Sequence, residues 1–273
     1  MSSAAEKPKV DAASRAFSRF GLSGRTALVT GATRGIGKAI VEELAGLGAD
    51  VYVCARSAED LEARLAEWRT AGLAVRGSVC DVSERQQRLQ LAERVAAEFG
   101  GKLHILVNNV GTNIRKPTVE YTEEEFSFMM RTNVESAYHL CQACQPLLAA
   151  SGDGCIVFNT SVAGGPTAMR SGTLYAMSKA ALNQLTKNLA CEWAGAGIRV
   201  NSVAPWYTAT DLALQVLQNE SFKAEVLSRT PLKRIAQPEE VAGTVAYLCS
   251  PAAAYVTGQI IQVDGGYSVM GLY

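Results

Sequence analysis

The chain has 273 residues, 48% of them hydrophobic, and its 26 basic side chains are matched by 26 acidic ones. That length allows one large domain or two small ones, and a formal charge of zero gives no electrostatic reason to expect nucleic acid or an anionic membrane surface as partner. No apolar run approaches the ~18 residues that span a bilayer, and seven scattered cysteines with only two histidines point to reduced thiols inside a cell rather than to disulfides or a metal site.

Residues 1–20 are small, polar and charged with no apolar face, and are expected to form a flexible tail. Glu6 and Asp11 argue against a transit peptide, so the cytoplasm is the expected compartment, with plastid targeting left open. From residue 25 onward, short β-branched runs alternate with helical patterns. The expected strands are TALVT (26–30), DVYVCA (50–55), AVRGSV (74–79), HILVNN (104–109), CIVFNT (155–160), RVNSVA (199–204) and QIIQVD (259–264). They are apolar throughout, as strands of a parallel sheet buried on both faces should be. Helical patterns lie between them, the longest covering 122–148 with acids in its first turn. The alternation predicts a single-domain α/β fold over 21–273, a Rossmann-type doubly wound parallel sheet of about seven strands with helices on both faces. Cys141 and Cys144, at i and i+3 of an apolar helix, read as core residues.

The first strand runs into Thr30-Gly31-Ala32-Thr33-Arg34-Gly35-Ile36-Gly37 and then a helix. Glycines at 31, 35 and 37 suit a tight turn and a close approach of backbone to a pyrophosphate at a helix N-terminus. A site for NAD wants a carboxylate at the end of the second strand, where this chain has Cys54-Ala55-Arg56-Ser57. Arg56 and Arg34 could instead fork onto a 2′-phosphate, which predicts NADP(H).

Ser161 ends a strand of this sheet and so faces the same crevice. Tyr175 and Lys179, at i and i+4, share one helix face. Asn133 is an amide inside a helix that should pack on the sheet. With Asn108-Asn109-Val110-Gly111 and the glycine turn, these residues resemble, in order and spacing, the short-chain dehydrogenase/reductase family over residues 20–270. SGRTALVTGATRGIG, VNNVGTNIRKPT and VNSVAPWYTAT are more narrowly similar to the plant tropinone reductases and their relatives.

The resemblance implies a catalytic tetrad. Tyr175 would give its proton to the carbonyl oxygen, and Lys179 would lower the tyrosine pKa and hold the nicotinamide ribose. Ser161 would bind the substrate oxygen, and Asn133 would hold a water that reloads the proton. It also implies cofactor contacts from Thr33, Ile36, Asp81, Val82, Asn109, Gly111, Pro205 and Thr208, with Asp81 near the adenine and Thr208 at the carboxamide. The broad family usually has Pro-Gly where this chain has Pro205-Trp206.

Residues 206–234 are expected to form a helical lid. Val110, Ile114, Val162, Trp206, Tyr207 and Leu212 are candidates for an apolar pocket wall, half of which could equally be core. Such a wall around a Ser/Tyr pair suits a small apolar, cyclic ketone or the matching alcohol. The alternatives are a 3-oxoacyl-thioester reductase, which would need a basic docking surface, and a non-catalytic NADP(H)-binding regulator. An apolar C-terminus with Tyr267, Met270 and Tyr273 suggests packing into a homodimer or homotetramer.

Overall fold

The computed structural model describes residues 18–165 and 167–272. Seven strands form one parallel sheet in the order β3-β2-β1-β4-β5-β6-β7. They are β1 (Thr26–Thr30), β2 (Asp50–Ala55), β3 (Val75–Val79), β4 (Ile105–Asn108), β5 (Gly154–Asn159), β6 (Ile198–Pro205) and β7 (Ile260–Val263). Each expected strand is present, β1 and β2 with the expected ends and the others with ends shifted by no more than one residue.

The helices are α1 (Gly35–Gly46), α2 (Ala58–Thr70), α3 (Arg85–Glu98), α4 (Glu123–Met130), α5 (Ser136–Ser151), α6 (Thr173–Glu192), α7 (Asp211–Leu217), α8 (Glu220–Ser228) and α9 (Pro238–Cys249). Because successive strand residues point to opposite faces, β1 sends Ala27 and Val29 into one core and Leu28 into the other. The first core packs against Ile40 and Leu44 of α1 and Val241 and Val245 of α9. The second packs against Leu91 of α3, Leu140 of α5 and Leu182 of α6.

Burial on both faces holds for β2, β1, β4, β5 and β6 and fails at the two edges. β3 leaves Val79 exposed, and β7 is half-buried, since each has a strand on one side only. The helix expected over 122–148 starts at a capping box, in which Thr122 accepts from the Glu125 amide at 3.2 Å while Glu125 accepts from the Thr122 amide at 2.9 Å. It is then broken by a π turn over Arg131–Glu135 that carries Asn133, a feature with no signature in composition or periodicity. Of the expected tail, residues 1–17 lie outside the described residues, while 18–20 are helical.

The sheet's direction of winding reverses between β1 and β4, which opens a crevice at the carboxyl ends of the strands. Every functional residue discussed below lies in or under that crevice.

Candidate active site

A single cleft of about 1200 Å³ runs along the strand ends from the glycine turn to the lid helices. At its floor, the sequence after β1 makes a cradle. Gly31 and Gly35 take φ of +64° and +54°, a region that favours glycine. A side chain at Gly37 would place its Cβ 2.2 Å from the Gly31 carbonyl oxygen and 2.5 Å from Asn109 Nδ2. The N-terminus of α1 has no side-chain cap and no acid in its first turn, so its amides and positive partial charge are open to an anion. The residues present therefore fit a dinucleotide pyrophosphate. Gly37→Ala is expected to abolish dinucleotide binding, read as loss of the fluorescence change on adding NADPH, because the nearest obstructing atom, the Gly31 carbonyl oxygen, is backbone and cannot move aside.

Asn109 holds this turn in shape, donating at 3.0 Å to both the Thr30 and Gly31 carbonyls. Its own Oδ1 accepts from Asn159 Nδ2 at 2.8 Å, and Lys179 Nζ donates to the Asn159 carbonyl at 2.7 Å. One polar chain thus links the glycine turn to the lysine across the ends of β1, β4 and β5. Gly111 keeps the lysine's place open, since a Cβ there would lie 3.1 Å from Lys179 Nζ. Thr210, at the foot of the lid, reaches within 3.0 Å of where a Gly35 Cβ would stand, so the lid base closes against the cradle.

Arg34 and Arg56 line the adenosine end of the cleft with Asp81 and Val82. Both arginines are exposed and carry no partner among the described residues. Asp81 is held by the amide and hydroxyl of Ser83, at 2.9 and 2.7 Å. Thr33, Ile36, Pro205 and Thr208 also line the cleft, and the Thr208 hydroxyl donates to the Trp206 carbonyl at 3.2 Å.

At the other end stand Ser161 and Tyr175. Ser161 caps a short 3-10 turn, accepting from the Ala163 amide at 3.2 Å, and its hydroxyl lies 3.5 Å from the Pro205 carbonyl. A hydrogen bond from Ser161 lowers the Tyr175 pKa, but burial raises it more, and the phenol ends above its ordinary value. Lys179 sits under the ring, with Nζ 5.5 Å from its centre, and burial pushes its pKa down to about 8. Ser161 and Arg115 are influences that lower the phenol, while the ammonium donates to the Asn159 carbonyl.

Asn133 does not line the cleft. It is fully buried beneath it, where Nδ2 donates to the Thr112 carbonyl at 2.9 Å and to Ser178 Oγ at 3.0 Å, and Oδ1 accepts from the Thr112 amide at 2.9 Å. Both amide hydrogens are used, and Oδ1, which can accept two bonds, takes one as the side chain pins the loop after β4. Val162 also lies outside the cleft wall. As the immediate neighbour of Ser161 it faces the core at 1% exposure. Ile114 is likewise off the wall; its carbonyl accepts from the Tyr121 hydroxyl at 2.6 Å. Val110, Trp206, Tyr207 and Leu212 do line the cleft.

Sequence reasoning missed Tyr267. Asp264 accepts from the amides of Gly266 and Ser268 at 2.9 and 2.8 Å, folding the C-terminal turn back on the sheet. Tyr267 then stacks on Trp206 with ring centres 3.7 Å apart and planes 7° from parallel. Tyr207 meets Trp206 edge-on at 4.7 Å and Phe222 of α8 at 5.9 Å. The tyrosine expected in a subunit contact is therefore part of an aromatic wall; Tyr273 lies outside the described residues.

A family model described as enoyl-(acyl carrier protein) reductase matches residues 31–268. A tropinone reductase homolog of Arabidopsis thaliana is 57% identical over 253 residues, covering 93% of this chain and 96% of that protein. The chain is a member of the short-chain dehydrogenase/reductase family. A second tropinone reductase homolog of Arabidopsis thaliana, described as chloroplastic, is 56% identical over 255 residues and covers 93% of this chain and 79% of its own. Among solved structures, a gluconate 5-dehydrogenase from Burkholderia cenocepacia in complex with NADP and tartrate superposes with a TM-score of 0.89 at 33% identity, covering 94% of this chain and 100% of that one. As a short-chain dehydrogenase/reductase, this protein is an oxidoreductase that binds a nicotinamide dinucleotide.

Among the described residues no group of histidine, cysteine and carboxylate side chains suits a metal ion, and no helix is long and apolar enough to cross a membrane. Cys141 and Cys144 are buried free thiols, and burial pushes Cys144 up to about 12, as expected of core residues.

Proposed function

We propose that the protein is an NADPH-dependent carbonyl reductase acting on a small, apolar, cyclic ketone, in the manner of the tropinone reductases. The observation that carries this reading is that Tyr175 and Ser161 line one cleft together with the glycine cradle and the aromatic cluster of Trp206, Tyr207 and Tyr267. A flat aromatic wall opposite two hydroxyls suits a compact ring whose one polar atom is a carbonyl oxygen. The bound dinucleotide supplies a hydride to the carbonyl carbon. Ser161 positions the oxygen, and Tyr175, protonated at neutral pH, gives it a proton. Lys179 holds positive charge beneath the phenol as the phenolate forms.

NADPH rather than NADH is proposed on the two partnerless guanidinium groups, Arg34 and Arg56. The double change of Arg34 and Arg56 to Ala is expected to raise KM for NADPH about 10–100-fold, the scale of losing one or two charge-assisted pairs, and to leave KM for NADH within about threefold. Equal effects on both cofactors would count against the assignment. The reductase reading itself is tested by NADPH consumption against tropinone, monocyclic and bicyclic ketones and an acetoacetyl thioester. Turnover of cyclic ketones supports it, and turnover of the thioester alone would replace it with an acyl-thioester reductase. That reading would need a basic docking surface for a carrier; of the candidates Arg115-Lys116 and Lys233-Arg234, Lys116 is neutralised by Glu125 and Arg234 by Glu240.

A reducing compartment suits the seven free cysteines; the cytoplasm is our reading, with the plastid as the alternative raised by the chloroplastic relative. We further propose a homodimer or homotetramer, on the exposed apolar side chains Phe126 and Phe128 of α4 and Tyr138 of α5.

A further inference from the structure

The outer end of the cleft carries charge that reduction of a purely apolar ketone does not use. Arg115 from the loop after β4, Arg170 from the segment before α6 and Arg229 at the end of α8 all line it. The carboxylates lining the same cleft are Asp60, Asp81, Asp211 and Glu225. Asp60 and Asp81 belong to the exits of β2 and β3 beside Arg56, and Asp211 follows Thr210 at the glycine turn. Only Glu225 shares the outer end, and it is already engaged. Arg170 donates to its two oxygens at 2.8 and 2.7 Å, and Arg229 lies 3.5 Å away.

Arg115 is left over. It is exposed and has no hydrogen-bond or ion-pair partner among the described residues. Its field nonetheless reaches the reacting end, where it pulls down the phenols of both Tyr175 and Tyr207 against the effect of burial. Two residues earlier in the same loop, Asn113 also lines the cleft and has a buried Oδ1 with no partner. The amide oxygen of Asn113 takes a hydrogen-bond donor rather than an anion, so the counter-charge missing from this loop is the one Arg115 lacks.

We infer that Arg115 anchors a carboxylate on the substrate, which makes the natural ketone an oxo acid with a cyclic apolar body and an anionic group at its far end. The inference rests on the reductase reading above and amends its substrate class from a wholly apolar ketone to one that also carries an anionic group. Three guanidinium groups against one carboxylate leave the outer end of the cleft net positive, Arg115 is the one of the three without a partner among the described residues, and its fork suits the two oxygens of a carboxylate. The aromatic wall takes the ring between the anchor and the hydroxyl pair. The same charge works against ketones that carry a protonated amine.

Two measurements test this separately from turnover of ketones in general. The first is calorimetric binding of cyclohexanecarboxylate, which has no ketone to reduce, and of cyclohexanecarboxamide to the protein–NADPH complex. The carboxylate is expected to bind at least tenfold tighter, with the preference lost in Arg115→Gln and partly kept in Arg115→Lys, which preserves the charge. The second compares kcat/KM for 4-oxocyclohexanecarboxylate and its amide, where the preference should lie in KM and shrink as salt is raised. Equal binding of carboxylate and amide, or a preference unchanged in Arg115→Gln, overturns the inference whichever ketones are reduced. Arg115-dependent carboxylate binding without reduction of any ketone would leave the anion site standing and remove the reductase reading instead.

Discussion

Tyr175→Phe is expected to lower kcat for ketone reduction by about 10²–10⁴-fold, the usual contribution of a positioned general acid, with the NADPH dissociation constant changed less than about threefold. The hydroxyl it removes is a phenol that burial holds protonated at neutral pH, with Ser161 pulling against that shift. Burial, which raises its pKa, favours reduction over the reverse reaction: the proton is in place for a carbonyl oxygen, whereas alcohol oxidation has to start from the phenolate. Reduction should therefore be the faster direction at neutral pH, and alcohol oxidation should gain as pH rises. Stopped-flow traces of the variant, with NADPH bound and no hydride transfer, would confirm the assignment. A variant within tenfold of the parent would mean that another group gives the proton. Normal biological activity in such a variant would point to a non-catalytic NADP(H)-binding regulator.

What could be read from the sequence follows from how local each feature is. The strands declare themselves because five of them are buried on both faces and therefore carry unbroken apolar runs. Gly31, Gly35 and Gly37 stand out because a turn against a phosphate leaves no room for side chains within one short segment. The edges, by contrast, depend on which strand ends up outermost, and nothing within VRGSV or IIQV states that.

The pocket was less legible because its wall is assembled from distant segments. Trp206 and Tyr267 are far apart in sequence and meet only because Asp264 folds the last turn back. Read alone, an apolar tail that carries a tyrosine is equally consistent with a subunit contact. Val162 fails as a wall residue for a local reason, since next to Ser161 it has to point the other way. Asn133 was found, but its contacts were not. An amide in a helix signals an unusual partner, yet only the structure shows that the partner is the Thr112 backbone. Arg115 and the Arg170–Glu225 pair were hidden because surface charges in loops are ordinarily solvated, and their meaning comes from the cleft between them.

Lys179→Met is expected to make the protein more stable at pH 7 while removing activity. Lys179 is 3% exposed, and burial takes its pKa from 10.5 down to about 8. A shift of that size corresponds to roughly 3 kcal/mol of unfavourable free energy for holding the charged form in place. The sign follows from proton counting. Below pH 8 the lysine is charged in both folded and unfolded chains, and the whole penalty is present. Between about 8 and 10.5 the unfolded chain binds the extra proton, so the parent's stability rises with pH. Above 10.5 both forms are neutral and the penalty is gone. Methionine fills similar space without charge but leaves the Asn159 carbonyl unpaired, which takes back on the order of 1–2 kcal/mol. Urea denaturation of the dinucleotide-free protein should therefore show Lys179→Met more stable by about 1–2 kcal/mol at pH 7, with the advantage gone or reversed by pH 10. Ketone reduction by the parent should fall over the same range in which the lysine loses its charge. A methionine variant that is less stable at pH 7 would mean that the ammonium's contact with Asn159 outweighs its desolvation, and the lysine would then be a structural tie as much as a source of charge beneath Tyr175.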